Sequence, residues 1–102
     1  MKLLTDVDID TVGSSLDLGR MFRGSGDCTY AFYVWGTLGG GTVTLWISPD
    51  GGVNYFVARQ VDGTSQASLN VADVIMVLLR GWKVRAVLTG SAGAADVNAL
   101  LI

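Results

Sequence analysis

The sequence predicts an all-β fold: a single antiparallel β-sandwich of jelly-roll or Ig-like type, with about eight short strands. Three observations carry this. Runs rich in Val, Leu, Tyr, Phe and Thr recur roughly every ten residues, the rhythm of sandwich and barrel strands. Clusters of Gly and Asp separate the runs, and Gly supplies 14 of the 102 residues. Only residues 68–79 compete as a helix, and their β-branched content and the stop at Gly81 favour a strand. No linker divides the chain. At this length roughly 60–70% of the unfolded surface can be buried, which is enough for one core.

The expected strands are Leu3–Ile9, Thr29–Trp35, Thr42–Ser48, Val53–Val61, Ser65–Leu69, Val74–Leu79, Lys83–Leu88 and Val97–Ile102. Ser15–Leu18 adds a weaker extended piece, so residues 1–28 serve as an N-terminal arm or as extra strands of the same 1–102 domain. The turns between them are Gly36 to Gly41, Pro49-Asp50-Gly51-Gly52, Asp62-Gly63, Arg80-Gly81 and Gly90 to Ala95. The clearest hairpin joins Thr42–Ser48 to Val53–Val61. Pro49 presets φ, Asp50 bonds local amides, and Gly51 or Gly52 accepts a positive φ. With Ser48 facing Val53, Trp46 faces Tyr55 and Leu45 faces Phe56. Val43, Leu45 and Ile47 then point to the core. Trp46 and Tyr55 stand together on the other face, either stiffening the sheet or forming a contact surface.

Val74-Ile75-Met76-Val77-Leu78-Leu79 does not alternate, and a strand apolar on both faces must be covered on both. Leu100-Leu101-Ile102 repeats the pattern. Central burial within one chain would satisfy it. So would a subunit interface, which the scarcity of charge favours: only 16% of residues are charged, against about a quarter in ordinary soluble domains.

Composition excludes several functions. There is no His, and all nine acidic residues are Asp. Histidine catalysis and His-ligated metals are therefore absent, and a serine nucleophile would need Lys2 or Lys83 as its base. Gly39-Gly40-Gly41 leads into a strand, where a phosphate cradle needs a helix N-terminus. No enzyme is expected, and no cofactor. Seven basic residues and a net charge of −2 give nucleic acid or an anionic membrane nothing to attract. The longest strictly apolar run, residues 74–79, is far short of the ~20 residues that span a bilayer, and the first residues lack a signal-peptide core. One unpaired Cys28, read as a small core residue, fits a reducing compartment.

Two constellations remain. Asp6, Asp8 and Asp10 would share one face of a strand and match the opening of a calcium loop. Thr11 stands where that loop has Gly, and Asp17 where it has Glu, so a solvated face or pairing with Arg20 or Arg23 competes. The aromatics Trp35, Trp46, Trp82, Tyr30, Tyr33 and Tyr55 would suit core and interface packing, or a sugar-stacking platform. Arg80, Lys83 and Arg85 suit salt links to an acidic partner.

Gly39-Gly40-Gly41-Thr42-Val43-Thr44-Leu45 followed by Ser48-Pro49-Asp50-Gly51-Gly52 resembles small β-sandwich virion proteins of tailed bacteriophages. So does Val84-Arg85-Ala86-Val87-Leu88-Thr89-Gly90 before a Gly/Ala loop and Val97-Asn98-Ala99. The resemblance covers the last two-thirds of the chain. It implies a virion component assembled in the host cytoplasm, most simply a capsid cement or decoration protein. Its partners would be the major capsid protein or other virion proteins. In this reading the chain is a homo-oligomer, a dimer or trimer, that meets its neighbours through Val74–Leu79 and the C-terminal strand. The alternative is a glycan-binding module of a tail, neck or fibre, which expects Trp46 and Tyr55 exposed together; Trp46, Tyr55 and Arg85 are the candidate surface contact.

Overall fold

A computed structural model describes residues 2–13, 15–17, 28–79, 83–91, 93 and 95–102, with backbone alone at 16, 17, 28 and 95. The fold is a β-sandwich of two antiparallel sheets, as the strand rhythm predicts. In chain order the strands are β1 (Lys2–Val7), β2 (Thr11–Val12), β3 (Leu16–Asp17), β4 (Cys28–Thr37), β5 (Thr42–Ser48) and β6 (Phe56–Val57). Then come β7 (Arg59–Gln60), β8 (Ser68–Leu69), β9 (Asp73–Leu79), β10 (Lys83–Thr89) and β11 (Ala95–Leu101). One sheet runs β1-β11-β4-β9-β7. The other centres on β10 and β5, with β2 and β3 along the far side of β10, and β6 and β8 along the far side of β5.

Alternation builds the core between them. Val84, Ala86 and Leu88 of β10 face inward beside Val43 and Leu45 of β5. Phe32 and Val34 of β4 face them, next to Val77 and Leu79 of β9 and Val97, Ala99 and Leu101 of β11. In β1 the neighbours Leu3 and Leu4 are both buried, which a regular strand cannot do. Two register shifts against β11 explain it, and Asp6 takes a φ of 49° at the second. Such bulges also make a sheet edge a poor template for another strand.

Both flanks of the sandwich are crossed by chain that changes sheets. The N-terminal segment leaves β1 and joins the other sheet as β2 and β3, held at Gly13 by a 2.8 Å bond from its N–H to the Ala86 carbonyl. On the opposite flank, β6 pairs with β5 while β7, two residues on, pairs with β9. The buried residues Ala58 and Ala67 form this corner, and both bond the Leu45 backbone. Small side chains let the chain pass so close to β5.

The expected single strand over residues 53–61 is corrected accordingly: it is two short strands in two sheets. The hairpin register also moves by two residues. Trp46 pairs with Val57 and Ile47 with Phe56, so Trp46 does not face Tyr55. Asp50 is the cause. Its carboxylate accepts bonds from the Asn54 N–H (2.9 Å), the Asn54 side chain (2.6 Å) and the Ser48 hydroxyl (2.7 Å). The Gly52 N–H returns to Ser48 at 2.8 Å, and the chain stays coiled until Phe56. Residues 65–67, expected as strand, precede β8, and β2 falls where only a link was expected.

These turns predict an acid response. Bonds from the Asn54 backbone and side chain and from Ser48 hold the Asp50 carboxyl down to about 2. Bonds from the Ser65 side chain and backbone and the Thr64 backbone hold Asp62 at about 2. Both values lie below the ~3.9 of an unfolded Asp. The stability they contribute is therefore complete above about pH 4 and is lost as pH falls towards 2. Melting temperatures measured from pH 6 to 2 should be flat, then fall, and the double variant Asp50→Asn, Asp62→Asn should flatten that fall.

Candidate functional site

The outer face of the five-stranded sheet is the main candidate. In β4, Tyr33 and Trp35 alternate with buried Phe32 and Val34, so they project away from the core. Register places neighbours beside them on the same face. Tyr33 lies between Val74 of β9 and Leu100 of β11, and Lys2 extends that row. Ala31 lies between Met76 and Ile102, whose backbone exchanges two bonds with Ala31. Thr29 lies beside Leu78, and Leu78 beside Arg59 of β7. Tyr33, Trp35, Val74, Met76 and Ile102 are between 39% and 66% exposed. A contiguous apolar face of this kind on an isolated domain marks an interaction site.

The expected interface residues therefore divide by parity. Val74, Met76, Leu78, Leu100 and Ile102 lie on this outer face. Val77, Leu79 and Leu101 are buried in the core, with Ile75 packed against it, so these four do not belong to an interface. Tyr33 and Trp35 are the residues that sequence reasoning did not single out for this face. Their signal was the alternation with Phe32 and Val34, which acquires meaning only once β9 and β11 are known to flank β4.

A polar pin finishes one rim. The Lys2 ammonium stands 5.1 Å from the Trp35 ring centroid and 3.5 Å from the Asn98 side-chain oxygen. Buried Asn98 also accepts the Asp6 N–H (3.2 Å) and donates to the Asp6 carboxylate (3.3 Å) and the Asp96 carbonyl (2.8 Å). These bonds satisfy an amide that would otherwise be costly to bury.

On the other sheet, Trp46, Tyr55 and Arg85 do assemble, in a different way from the expected aromatic pair. Arg85 pairs with Trp46 across β10 and β5, and its guanidinium lies 3.8 Å from the Tyr55 ring centroid. The Tyr55 hydroxyl hydrogen-bonds the Ser15 hydroxyl. Arg85 Nε is buried with no hydrogen-bond partner among the described residues. The trio clamps the 49–55 loop and the 15–17 segment onto the sheet. With one ring face covered by the cation, Tyr55 does not form an open sugar platform with Trp46.

The three carboxylates of the Asp run separate, because β1 ends at Val7 and the shared strand face disappears. Asp6 is held by Asn98, as above. Asp8 is exposed. Asp10 reaches the 90–91 turn, accepting the Ser91 hydroxyl (2.6 Å), the Ser91 N–H (2.9 Å) and the Gly90 N–H (3.2 Å). Those bonds, that of the Ser91 side chain first, lower its pKa. The calcium candidate is thus not assembled, and no group of three or more potential ligands occurs among the described residues. Arg20, Arg23, Arg80 and Trp82 lie outside the described residues, as does the Cys28 side chain. A cleft of about 320 Å³ between β1 and β2 is lined by residues of the 2–13 segment, with Lys2 its one titratable side chain. That lining offers no acid–base pair. No helix among the described residues is long and apolar enough to cross a membrane.

Compared with family models, with curated proteins and with solved structures, the chain matches none.

Proposed function

We propose that the chain is a non-enzymatic structural protein of a bacteriophage virion, a capsid cement protein that bridges major capsid subunits. The observation that carries this reading is the apolar outer face of the five-stranded sheet, on a sandwich whose two flanks are closed. An exposed face built from Trp, Tyr, Met and Val costs free energy in water and gains it on burial, at about 25 cal/mol per Å² of apolar surface. Buried between neighbouring copies of the chain, each seated on a capsid subunit, that face raises the work needed to part the subunits. The resemblance of the 39–52 and 84–99 stretches to small phage β-sandwiches supports a virion as that assembly. Residues 2–13, with Asp8 exposed, would lie towards the shell.

The test uses particles with and without the protein. Particles lacking it should release their genome at a lower temperature, and adding the purified chain back should restore resistance at many copies per particle. Unchanged heat resistance, or a copy number of a few, would remove the cement reading. In a glycan-binding tail or fibre module, Trp35 rather than Trp46 would be the sensitive aromatic, since Tyr33 and Trp35 are the exposed pair.

A further inference from the structure

We infer that the apolar face of the five-stranded sheet is covered by a second copy of the same chain, packed face to face about a two-fold axis that lies across the strands. The inference rests on the assembly reading and deepens it by naming the occupant and its register.

Three observations select a second copy. The first concerns edges. A peptide adding itself as a strand needs a long free edge, and both flanks here are occupied by bulged or sheet-switching chain. Association must therefore use a face.

The second concerns charge. The centre of the face holds Ala31, Tyr33, Met76, Val74 and Leu100, while Lys2 and Arg59 sit at opposite rims, on β1 and β7. A charged partner would find nothing to pair with at the centre, whereas an identical apolar face would. With the axis across the strands, each rim meets the same rim of the other copy with its direction reversed. The row holding Lys2 then lies over the row holding Ala31, and the row holding Arg59 lies over the row holding Trp35. No like charges are opposed.

The third concerns relief. The face has four rows: Trp35 with Asn98; Val74, Tyr33 and Leu100; Met76, Ala31 and Ile102; then Leu78 with Thr29. A two-fold axis between the middle rows sets Tyr33 over the partner's Ala31 and Met76 over the partner's Val74. It also sets Trp35 over the partner's Thr29. In these three pairs a bulky side chain meets a smaller one, while Leu100 meets the partner's Ile102 as an apolar pair of similar size, and such interdigitation lets sheets pack about 10 Å apart.

Size sets the strength. Four strands at ~4.8 Å spacing and six steps of ~3.4 Å give a flat footprint of roughly 400 Å² per copy. Side-chain relief raises the accessible area towards the ~600 Å² per partner at which specific interfaces begin. The dimer should therefore dissociate on dilution.

Sedimentation equilibrium of the purified full chain over a dilution series tests this. The expected mass rises from one chain to two with concentration. Met76→Lys and, separately, Val74→Lys should hold the chain at one mass, with circular dichroism and the melt of the dilute chain unchanged because both side chains of the monomer point to solvent. Val12→Lys, on the other sheet, should leave the dimer intact. A monomer at every concentration overturns the inference, as does a trimer, or a dimer that both β9 variants leave intact. If a monomeric chain still restores particle resistance, the second copy fails while the cement reading stands. If the dimer forms but particles do not take it up, the reverse holds.

Discussion

Gly36→Ala is expected to destabilise the fold by about 3 kcal/mol or more, well beyond an ordinary glycine substitution. Gly36 lies where the register between β4 and β11 slips, opposite Asp96 with its own φ of 54°. Its φ is 110°, a region that L side chains rarely adopt. A Cβ there would come 2.1 Å from the Asp96 carbonyl oxygen, so backbone must move where β4, the middle strand of its sheet, begins its pairing with β11. Gly40→Ala is the control. Its φ is 79°, but nothing lies within 4 Å of the added carbon, so only the conformational cost of about 1 kcal/mol remains. Urea melts of both variants decide it; a Gly36→Ala midpoint no lower than that of Gly40→Ala would show that the slip is soft.

Phe32→Ala should cost about 3–5 kcal/mol, the range for emptying a buried aromatic site. Phe32 is among the largest fully buried side chains, and its register partners Ile75 and Leu101 flank it on the inner face. A melting temperature lower by roughly 12–24 °C follows for 3 kcal/mol in a domain near this size. The next residue behaves oppositely. Tyr33→Ala removes a side chain that projects into solvent, so the melt of the dilute chain should shift little while self-association weakens. The pair separates folding from assembly at adjacent positions: equal losses of stability at 32 and 33 would contradict the assigned faces.

The strand rhythm revealed the sheets wherever a strand is long enough to show a period. The β5 boundaries match the expectation, and β10 shows the same alternation, with Val84, Ala86 and Leu88 buried between partly exposed neighbours. The non-alternating stretch 74–79 pointed to a strand covered on both sides, and its outer half is the candidate face. What stayed hidden depends on partners distant in the chain. Two-residue strands such as β2, β7 and β8 have no period to read. The break at Ala58 is set by the neighbouring sheet, and the hairpin register by one carboxylate, Asp50, whose bonds are side-chain geometry rather than pattern. Likewise, the Arg85 clamp on Tyr55 follows from the pairing of β10 with β5, which no local spacing encodes.

The pairing of Lys2 with Leu100 and Val7 with Val97 has a consequence for the order of events during synthesis. As the ribosome delivers residues 2–7, their ladder partner β11 is still some ninety residues away, and β4 must likewise wait for β9 and β11. The local turn over residues 58–67, closed by bonds from the Ala67 N–H to the Ala58 carbonyl and from the Gln60 N–H to the Ser65 carbonyl (2.8 Å each), can form early, but the five-stranded sheet cannot. Sheets dominated by such distant pairings fold slowly, typically in milliseconds to seconds. Until β11 emerges, Tyr33, Trp35 and the core strands are exposed together at high local concentration on a polysome. Interruption of synthesis before residues 95–101 are added therefore leaves the five-stranded sheet without the strand that joins β1 to β4.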